Sequence, residues 1–375
     1  MRKIIIWYIM VWYIAITYVL HIVCGKTWKM FFFDISTLFS DSKEVYGVEI
    51  IIMTIIICIM VILTWVLSNH FKIEFDVKFK NKRIGKYDII TVIKKFQIVF
   101  WLVMIGLFGF CYIRFPMFPK SDDKEWEKYQ TIAHAGGVLE EHTYSNCEEA
   151  ILTNYENGQR VFEIDFCLTS DDKVVGKHDW EQHIIQEGFY EGYIPSEEEF
   201  LSIPLWGKYE PLSFERLCEL MTEYPDIWIV TDSKLYDEES NRKFFGILAN
   251  TAKESGMEDV LERIIIQVYH EEMKEVVEEI YPFKSWIFTL YMTEFKGDEQ
   301  QFLRYVRYSY MNDIDAITMP EGRLTKGLVE IADRYGIKIY VHTINDLEEA
   351  QEDFASGING IYTDSIIPSM LSKEK

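Results

Sequence analysis

Eight short apolar runs recur between Thr131 and the C-terminus, and helical segments separate them. The runs are Ile132–His134, Val161–Cys167, Ile227–Asp232, Ile264–Tyr269, Trp286–Leu290, Ala316–Met319, Lys338–His342 and Gly360–Thr363. Most are rich in β-branched and aromatic residues, as parallel strands buried on both faces are. Amphipathic helices are predicted over Asn146–Asn157, Leu212–Glu223, Glu238–Ser255, Glu271–Ile280, Gln300–Met311, Leu324–Tyr335 and Leu347–Ser356. Several stop at glycine (Gly158, Gly256, Gly336, Gly357), which suits the left-handed turn that ends a helix. Eight strands with interleaved helices over roughly 245 residues predict a (β/α)8 TIM barrel. An open doubly wound sheet is the alternative topology.

The second run carries two carboxylates on one face. Glu163 and Asp165 lie two apart in Val161-Phe162-Glu163-Ile164-Asp165-Phe166. Residues i and i+2 of a strand point the same way, roughly 6–7 Å apart. Two carboxylates on an otherwise apolar strand are costly to bury unpaired. A hard divalent cation such as Ca²⁺ or Mg²⁺ relieves that cost. His134 and His178 flank the pair in sequence. A cation beside two proton-transfer groups suggests hydrolysis of a phosphoester. In a barrel of this kind the chemistry sits at the C-terminal ends of the strands. His134, Asp232, Lys234, Gln267, Tyr269, Tyr291, His342 and Asp364 all fall at or just beyond such ends.

The first 115 residues differ in character. Ile4–Cys24, Val48–Leu67 and Phe96–Tyr112 are long apolar runs, the first and third without charge and the second with Glu49 alone near its start, and are expected as membrane spans over about residues 4–24, 48–67 and 96–114. A cleaved signal peptide is the alternative for the first, but its apolar stretch is too long and no small-residue cleavage site follows. Trp and Tyr residues near several segment ends match interfacial anchors. The loop Ser68–Lys95 holds eight basic residues, whereas Gly25–Gly47 has no basic excess. Basic loops stay cytoplasmic, so the N-terminus is expected inside and everything after Phe115 outside. Residues 116–130, with Pro116 and Pro119, are expected to form a linker, and 131–375 the barrel.

The formal charge of −22 argues against nucleic acid as a partner. Six cysteines show no disulfide framework or zinc spacing and read as small buried hydrophobes; a Cys147–Cys167 bridge is the exception to test.

With these motifs in place, the stretch from Thr131 to Leu371 resembles the glycerophosphodiester phosphodiesterase family. His134-Ala135-Gly136-Gly137 stands at the first histidine motif. Glu141-His142-Thr143 and Asn146 follow, then Phe162-Glu163-Ile164-Asp165, Leu168-Thr169-Ser170-Asp171 and His178-Asp179. Thr231-Asp232-Ser233-Lys234 resembles the acidic-x-Lys motif of the third strand, and Thr343-Ile344-Asn345 with Gly360–Asp364 the closing strands. Most members have Arg after the first histidine; Ala135 removes one phosphate contact and marks a His-Ala-Gly-Gly branch. Asp232 stands where Glu is common.

The resemblance implies an enzyme that cleaves a glycerophosphodiester to glycerol phosphate and an alcohol, and the expected spans would anchor it in the membrane. Glu163, Asp165 and Asp232 would hold the divalent cation, and His134 and His178 would act as acid and base. Lys234 would neutralise a phosphate oxygen, with a snorkelling surface lysine as the alternative; for the three acids the alternative is an ion-pair cluster with Lys234. Asn146, Gln267, Tyr291 and His342 are expected to line the substrate pocket. Trp180–Glu210 reads as a long structureless insertion, a lid or a binding loop, with Glu197–Glu199 as a solvated charge run. The substrate would be a small or lipid-derived phosphodiester, and the bilayer a second partner. The rival readings are another barrel phospholipase, phospholipase D-like or phosphatidylinositol-cleaving, and an inactive anchored binding protein.

Overall fold

A computed structural model describes residues 120, 123–181 and 185–371, and upstream of them two strands, Glu74–Phe79 and Lys82–Asp88. The chain divides into two compact units, Met1–Phe118 and Pro119–Lys375. In the first, the two strands pair antiparallel. They occupy the basic stretch read above as a plain loop. Phe75, Val77 and Phe79 alternate there with charged residues, a period-two signal masked by the lysine count. The three expected spans lie outside the described residues. Among the described residues, no helix is long and apolar enough to cross a membrane.

The second unit closes a parallel barrel. Its strands are β1 (Thr131–Ala133), β2 (Val161–Leu168), β3 (Trp228–Asp232), β4 (Ile264–Val268), β5 (Ser285–Thr289), β6 (Ala316–Pro320), β7 (Lys338–His342) and β8 (Gly360–Thr363). Each pairs with the next, and β8 and β2 both pair with β1, which closes the ring and excludes the open sheet. The helices are α1 (Glu148–Glu156), α2 (Phe214–Glu223), α3 (Glu238–Glu254), α4 (Glu271–Ile280), α5 (Glu299–Met311), α6 (Lys326–Tyr335), α7 (Leu347–Ser356) and α8 (Pro368–Leu371). Gly336 and Gly357 end α6 and α7 in the left-handed conformation, at φ 69° and 102°.

Strand alternation sorts the side chains into two layers. Phe162, Ile164, Ile229, Ile266, Phe288 and Ile339 pack outward in one core with helix residues such as Leu217, Phe244, Val277 and Leu328. Ile132, Val161, Trp228, Val230, Ile265, Ile287, Tyr340 and Tyr362 form a second core with Trp126. Trp126 belongs to a 3-10 turn, Glu125–Lys128, within the stretch expected to be a linker, and is fully buried. Its ring centroid lies 5.6 Å from that of Tyr340. The residues around it are clasped to the ends where strands begin. Lys120 donates its amide to the Tyr335 carbonyl at 3.0 Å and its ammonium to Asp315 at 2.6 Å. Lys338 pairs with Asp123 at 2.9 Å. This segment is therefore the barrel's floor, and it leaves the opposite end for the site.

The β2–α2 connection is not structureless. Val174–Gly176 turns back antiparallel on the end of β2. Glu197–Ser202 is a helix. Ser196 and Glu199 form a reciprocal capping box there, so the acidic run is a helix N-terminus, where carboxylates are favoured. Cys147, Cys167 and Cys218 are free thiols, and the Cys147–Cys167 bridge is not formed.

Removing the floor side chain should be costly. Trp126→Ala should lower unfolding stability by about 3–5 kcal/mol, the usual range for a fully buried aromatic. Urea unfolding of the variant beside wild type measures this; a loss under about 1 kcal/mol would show that the segment is not part of the core.

Candidate active site

Neighbouring strands bring three carboxylates together. β2 and β3 pair with Asp165 opposite Asp232 and Glu163 opposite Val230. One oxygen from each of Glu163, Asp165 and Asp232 lies within 4.8 Å of the others. All three residues are buried. Such burial needs compensation, and the surrounding chain supplies it. The Ala135 amide donates to Glu163 Oε2 at 2.7 Å. Asn146 donates through Nδ2 to Asp165 Oδ2 at 3.0 Å and accepts from the Asp165 amide at 2.9 Å. The Lys234 ammonium donates to Asp165 and lies 3.0 Å from Asp232 Oδ2. The Tyr269 hydroxyl donates to Asp232, and the Tyr291 hydroxyl lies 3.3 Å from the same oxygen.

The turn after β1 explains the Ala-Gly-Gly sequence. Ala135, Gly136 and Gly137 all take positive φ (49°, 85° and 86°), and the amide at the head of this turn, that of Ala135, donates to Glu163. A β-carbon at Gly137 would fall 2.6 Å from Asn154 Nδ2, so glycine is required there. Asn154 in turn holds the Gly136 and Val138 carbonyls at 3.2 and 3.0 Å.

Electrostatics distribute charge unevenly across the cluster. Burial, and then the adjacent Asp165, raise the Glu163 carboxyl to about 8, so it keeps its proton at neutral pH. Burial alone would also raise Asp165, but Lys234 and His178 carry it below the usual carboxylate range. Burial would lower the Lys234 ammonium; Asp232, Asp165 and Glu163 reverse this and hold it far above its ordinary value. One proton and one ammonium thus offset the carboxylates. Glu163 Oε1 is buried without any hydrogen-bond partner. A partnerless oxygen among clustered carboxyl oxygens becomes, once the Glu163 proton leaves, part of a donor set that suits a hard divalent cation. Glu163, Asp165 and Asp232 are the residues that would hold it.

Both imidazoles are anchored through Nδ1. His134, directly after β1, bonds Asp364 Oδ1 at 2.8 Å. Asn345 Nδ2 donates to the other Asp364 oxygen at 2.7 Å, and the Asp364 amide donates to Asn345 Oδ1 at 2.8 Å. His178 Nδ1 bonds Asp179 Oδ2, while Asp179 Oδ1 accepts from the Glu181 amide at 2.8 Å. Each arrangement assigns Nε2 as the atom that exchanges a proton. Burial alone would lower His134, but Asp364, Glu163 and Asp165 outweigh it and hold the ring at about 9.

Four residues expected to line a pocket have more specific places. Asn146 is fully buried and is engaged with Asp165, so it positions a carboxylate. Gln267 accepts from the Tyr362 hydroxyl at 3.1 Å inside the barrel and is 3% exposed, so it supports the interior and does not line an open surface. His342 Nδ1 lies 2.9 Å from Thr318 Oγ1, and burial with His134 nearby lowers it to about 3, a neutral ring. Tyr291 reaches Asp232. The expected roles missed Tyr269, Asp364, Asn345 and Asp179 as partners of site residues. Tyr269 and Asp364 were visible as polar residues at strand ends, but nothing in the sequence said what they touch. A cavity of about 270 Å³ adjoins the site, bounded by His178, Trp180, Ile194, Ser233 and Lys234 among others.

The sequence matches no family model and no curated protein. The structure does resemble solved ones. A phosphodiesterase of Oleispira antarctica, in complex with the product sn-glycerol-3-phosphate, superposes with a TM-score of 0.54 at 15% identity, covering 65% of this chain and 97% of that one. A glycerophosphodiester phosphodiesterase from Parabacteroides distasonis gives 0.51 at 17% identity, covering 63% and 93%. At such identities the likeness establishes a shared fold.

The protonated Glu163 makes a measurable prediction. A cation needs its carboxylate form, so Ca²⁺ or Mg²⁺ binding should release up to about one proton from Glu163 at pH 7. The release should fade above pH 9, beyond the values of both Glu163 and His134. Calorimetry in buffers of different ionisation enthalpy reads this directly; binding without proton exchange at pH 7 would refute the protonated state.

Proposed function

We propose that this protein hydrolyses a glycerophosphodiester to glycerol phosphate and an alcohol, with a divalent cation at Glu163, Asp165 and Asp232. One observation carries the reading. Three buried carboxyls from two adjacent strands converge within 4.8 Å, one of them with an oxygen that lacks a hydrogen-bond partner, at the barrel end opposite the floor. Two imidazoles, each oriented by its own carboxylate, accompany them. The fold is shared with phosphodiesterases, one of them solved with sn-glycerol-3-phosphate, which supports the choice of substrate class.

When bound, the cation supplies positive charge against the phosphoryl oxygens. Asn146, the Ala135 amide and Tyr269 hold the three carboxylates in place. Lys234, paired with Asp165 and Asp232 in this structure, takes the role of a point charge on a phosphate oxygen. One imidazole takes the proton of the attacking hydroxyl, from water or from the neighbouring glycerol, and the other protonates the departing alkoxide. Asp364 and Asp179 keep each ring in the tautomer that exposes Nε2 to this exchange.

The apolar runs at the N-terminus and the basic stretch between the second and third support anchoring in a membrane, with the barrel outside. That location favours diesters derived from lipid headgroups or glycerophosphate polymers.

A panel of glycerophosphodiesters, lysolipids and inositol lipids, assayed with Ca²⁺ or Mg²⁺ and with chelator, tests the reading. Glycerophosphodiesters should be cleaved and chelation should abolish turnover. His134→Ala and His178→Ala should each lower kcat/KM by about 10²–10⁴-fold. Activity that survives chelation, or histidine variants within a few-fold of wild type, would contradict it. Preference for an inositol lipid would favour the rival phospholipase reading.

A further inference from the structure

Tyr144 has no part in the chemistry assigned above, yet its ring touches both imidazoles. Its centroid lies 4.9 Å from that of His134, with the planes 81° apart. It lies 5.3 Å from that of His178, with the planes 83° apart. The two histidines come from separate parts of the chain, one after β1 and one after the strand that folds back on β2. Among the described residues, the Tyr144 ring contacts both.

The backbone maintains this placement against its own preference. Tyr144 has φ 58°, a conformation that aromatic residues rarely adopt and that persists only where the surroundings enforce it. The enforcing contacts are visible. Ser145 and Asn146, the next two residues, are fully buried. The Asn146 amide donates to the Ala135 carbonyl at 3.0 Å, tying the loop to the histidine turn. The Asn146 side chain ties it to Asp165. The loop that presents Tyr144 is therefore fixed both to the first imidazole and to the carboxylate cluster.

Each imidazole is tethered to its carboxylate through a single atom, Nδ1. A hydrogen bond at one ring atom fixes that point more firmly than it fixes the plane of the ring. A perpendicular aromatic contact restricts that swing. The pair must also stay apart, because an acid and a base that meet can share one proton and lose their separate roles. We propose that Tyr144 is a positioning residue, an aromatic wedge that sets the ring planes of His134 and His178 and holds the two imidazoles separate. The proposal rests on the reading of those histidines as acid and base. The ring is the active feature, so phenylalanine should serve in its place.

The test uses the full-length protein with Tyr144→Phe, Tyr144→Leu and Tyr144→Ala, each checked for folding by its thermal midpoint. The first readout is NMR of the histidine side chains, assigned with His134→Ala and His178→Ala. Leu and Ala should shift both sets of resonances, while Phe keeps them near wild type. The second is steady-state kinetics on a glycerophosphodiester. Leu and Ala should lower kcat by about 10- to 100-fold with KM within about threefold, and Phe should recover the wild-type value. Unmoved histidine resonances in Leu and Ala would overturn the wedge. So would a Phe variant as impaired as Leu, which would place the action in the hydroxyl, or a loss confined to KM, which would make Tyr144 a substrate contact. If the wild type cleaves no glycerophosphodiester, the functional reading fails, and the NMR comparison still decides the wedge.

Discussion

Placing three carboxylates inside a barrel is the constraint from which the rest of the site follows. Ionised carboxylates removed from water each lose several kcal/mol of hydration unless something replaces it. The register of β2 against β3 sets Asp165 beside Asp232 and leaves no way to separate them. The neighbouring chain is arranged to compensate. A turn with three consecutive positive φ values presents one amide to Glu163. A buried asparagine serves Asp165 from both ends of its side chain, a tyrosine serves Asp232, and a lysine spans two of the three acids. Even so, Glu163 retains a proton and one orphaned oxygen. A buried, partnerless oxygen within a ring of acidic oxygens is incomplete in a way that a divalent cation completes.

The same barrel separates stability from chemistry along its axis. One end is plugged by Trp126 and an apolar interior, with Lys120 and Lys338 clasping the entering segment. The interior then turns polar through Gln267, Thr318 and His342 before reaching the carboxylates. That gradient lets the floor be packed for stability while the mouth carries groups that oppose it. His342 illustrates the transition: it lies close enough to His134 to feel its charge and is driven neutral by burial.

The barrel was legible because every strand announces itself locally. Short runs of β-branched and aromatic residues ended by glycine-stopped helices need no distant information, and the strand limits differ from the expected ones by a residue or so. β1, for instance, is Thr131–Ala133 and not Ile132–His134. Local signals were also incomplete. Glu197–Glu199 reads as a solvated charge run, and Glu198 and Glu199 are exposed, but the capping box between Ser196 and Glu199 makes the run a helix N-terminus as well. Trp126 sits among charged residues and shows no periodicity, so its burial was not visible. In the site, Glu163 and Asp165 could be paired by spacing alone. The partners that orient the site could not. Asp364 lies 230 residues from His134, and Tyr269 lies 37 from Asp232. Only barrel closure and the β3–β4 pairing bring these residues together, and no spacing in the sequence encodes that.

A crystal grown with Ca²⁺ offers the most direct measurement. Anomalous scattering should show one ion in contact with oxygens of Glu163, Asp165 and Asp232 at about 2.3–2.6 Å, with the Lys234 ammonium displaced from between the acids. An empty cluster at saturating Ca²⁺, with Lys234 still bridging Asp165 and Asp232, would contradict the account.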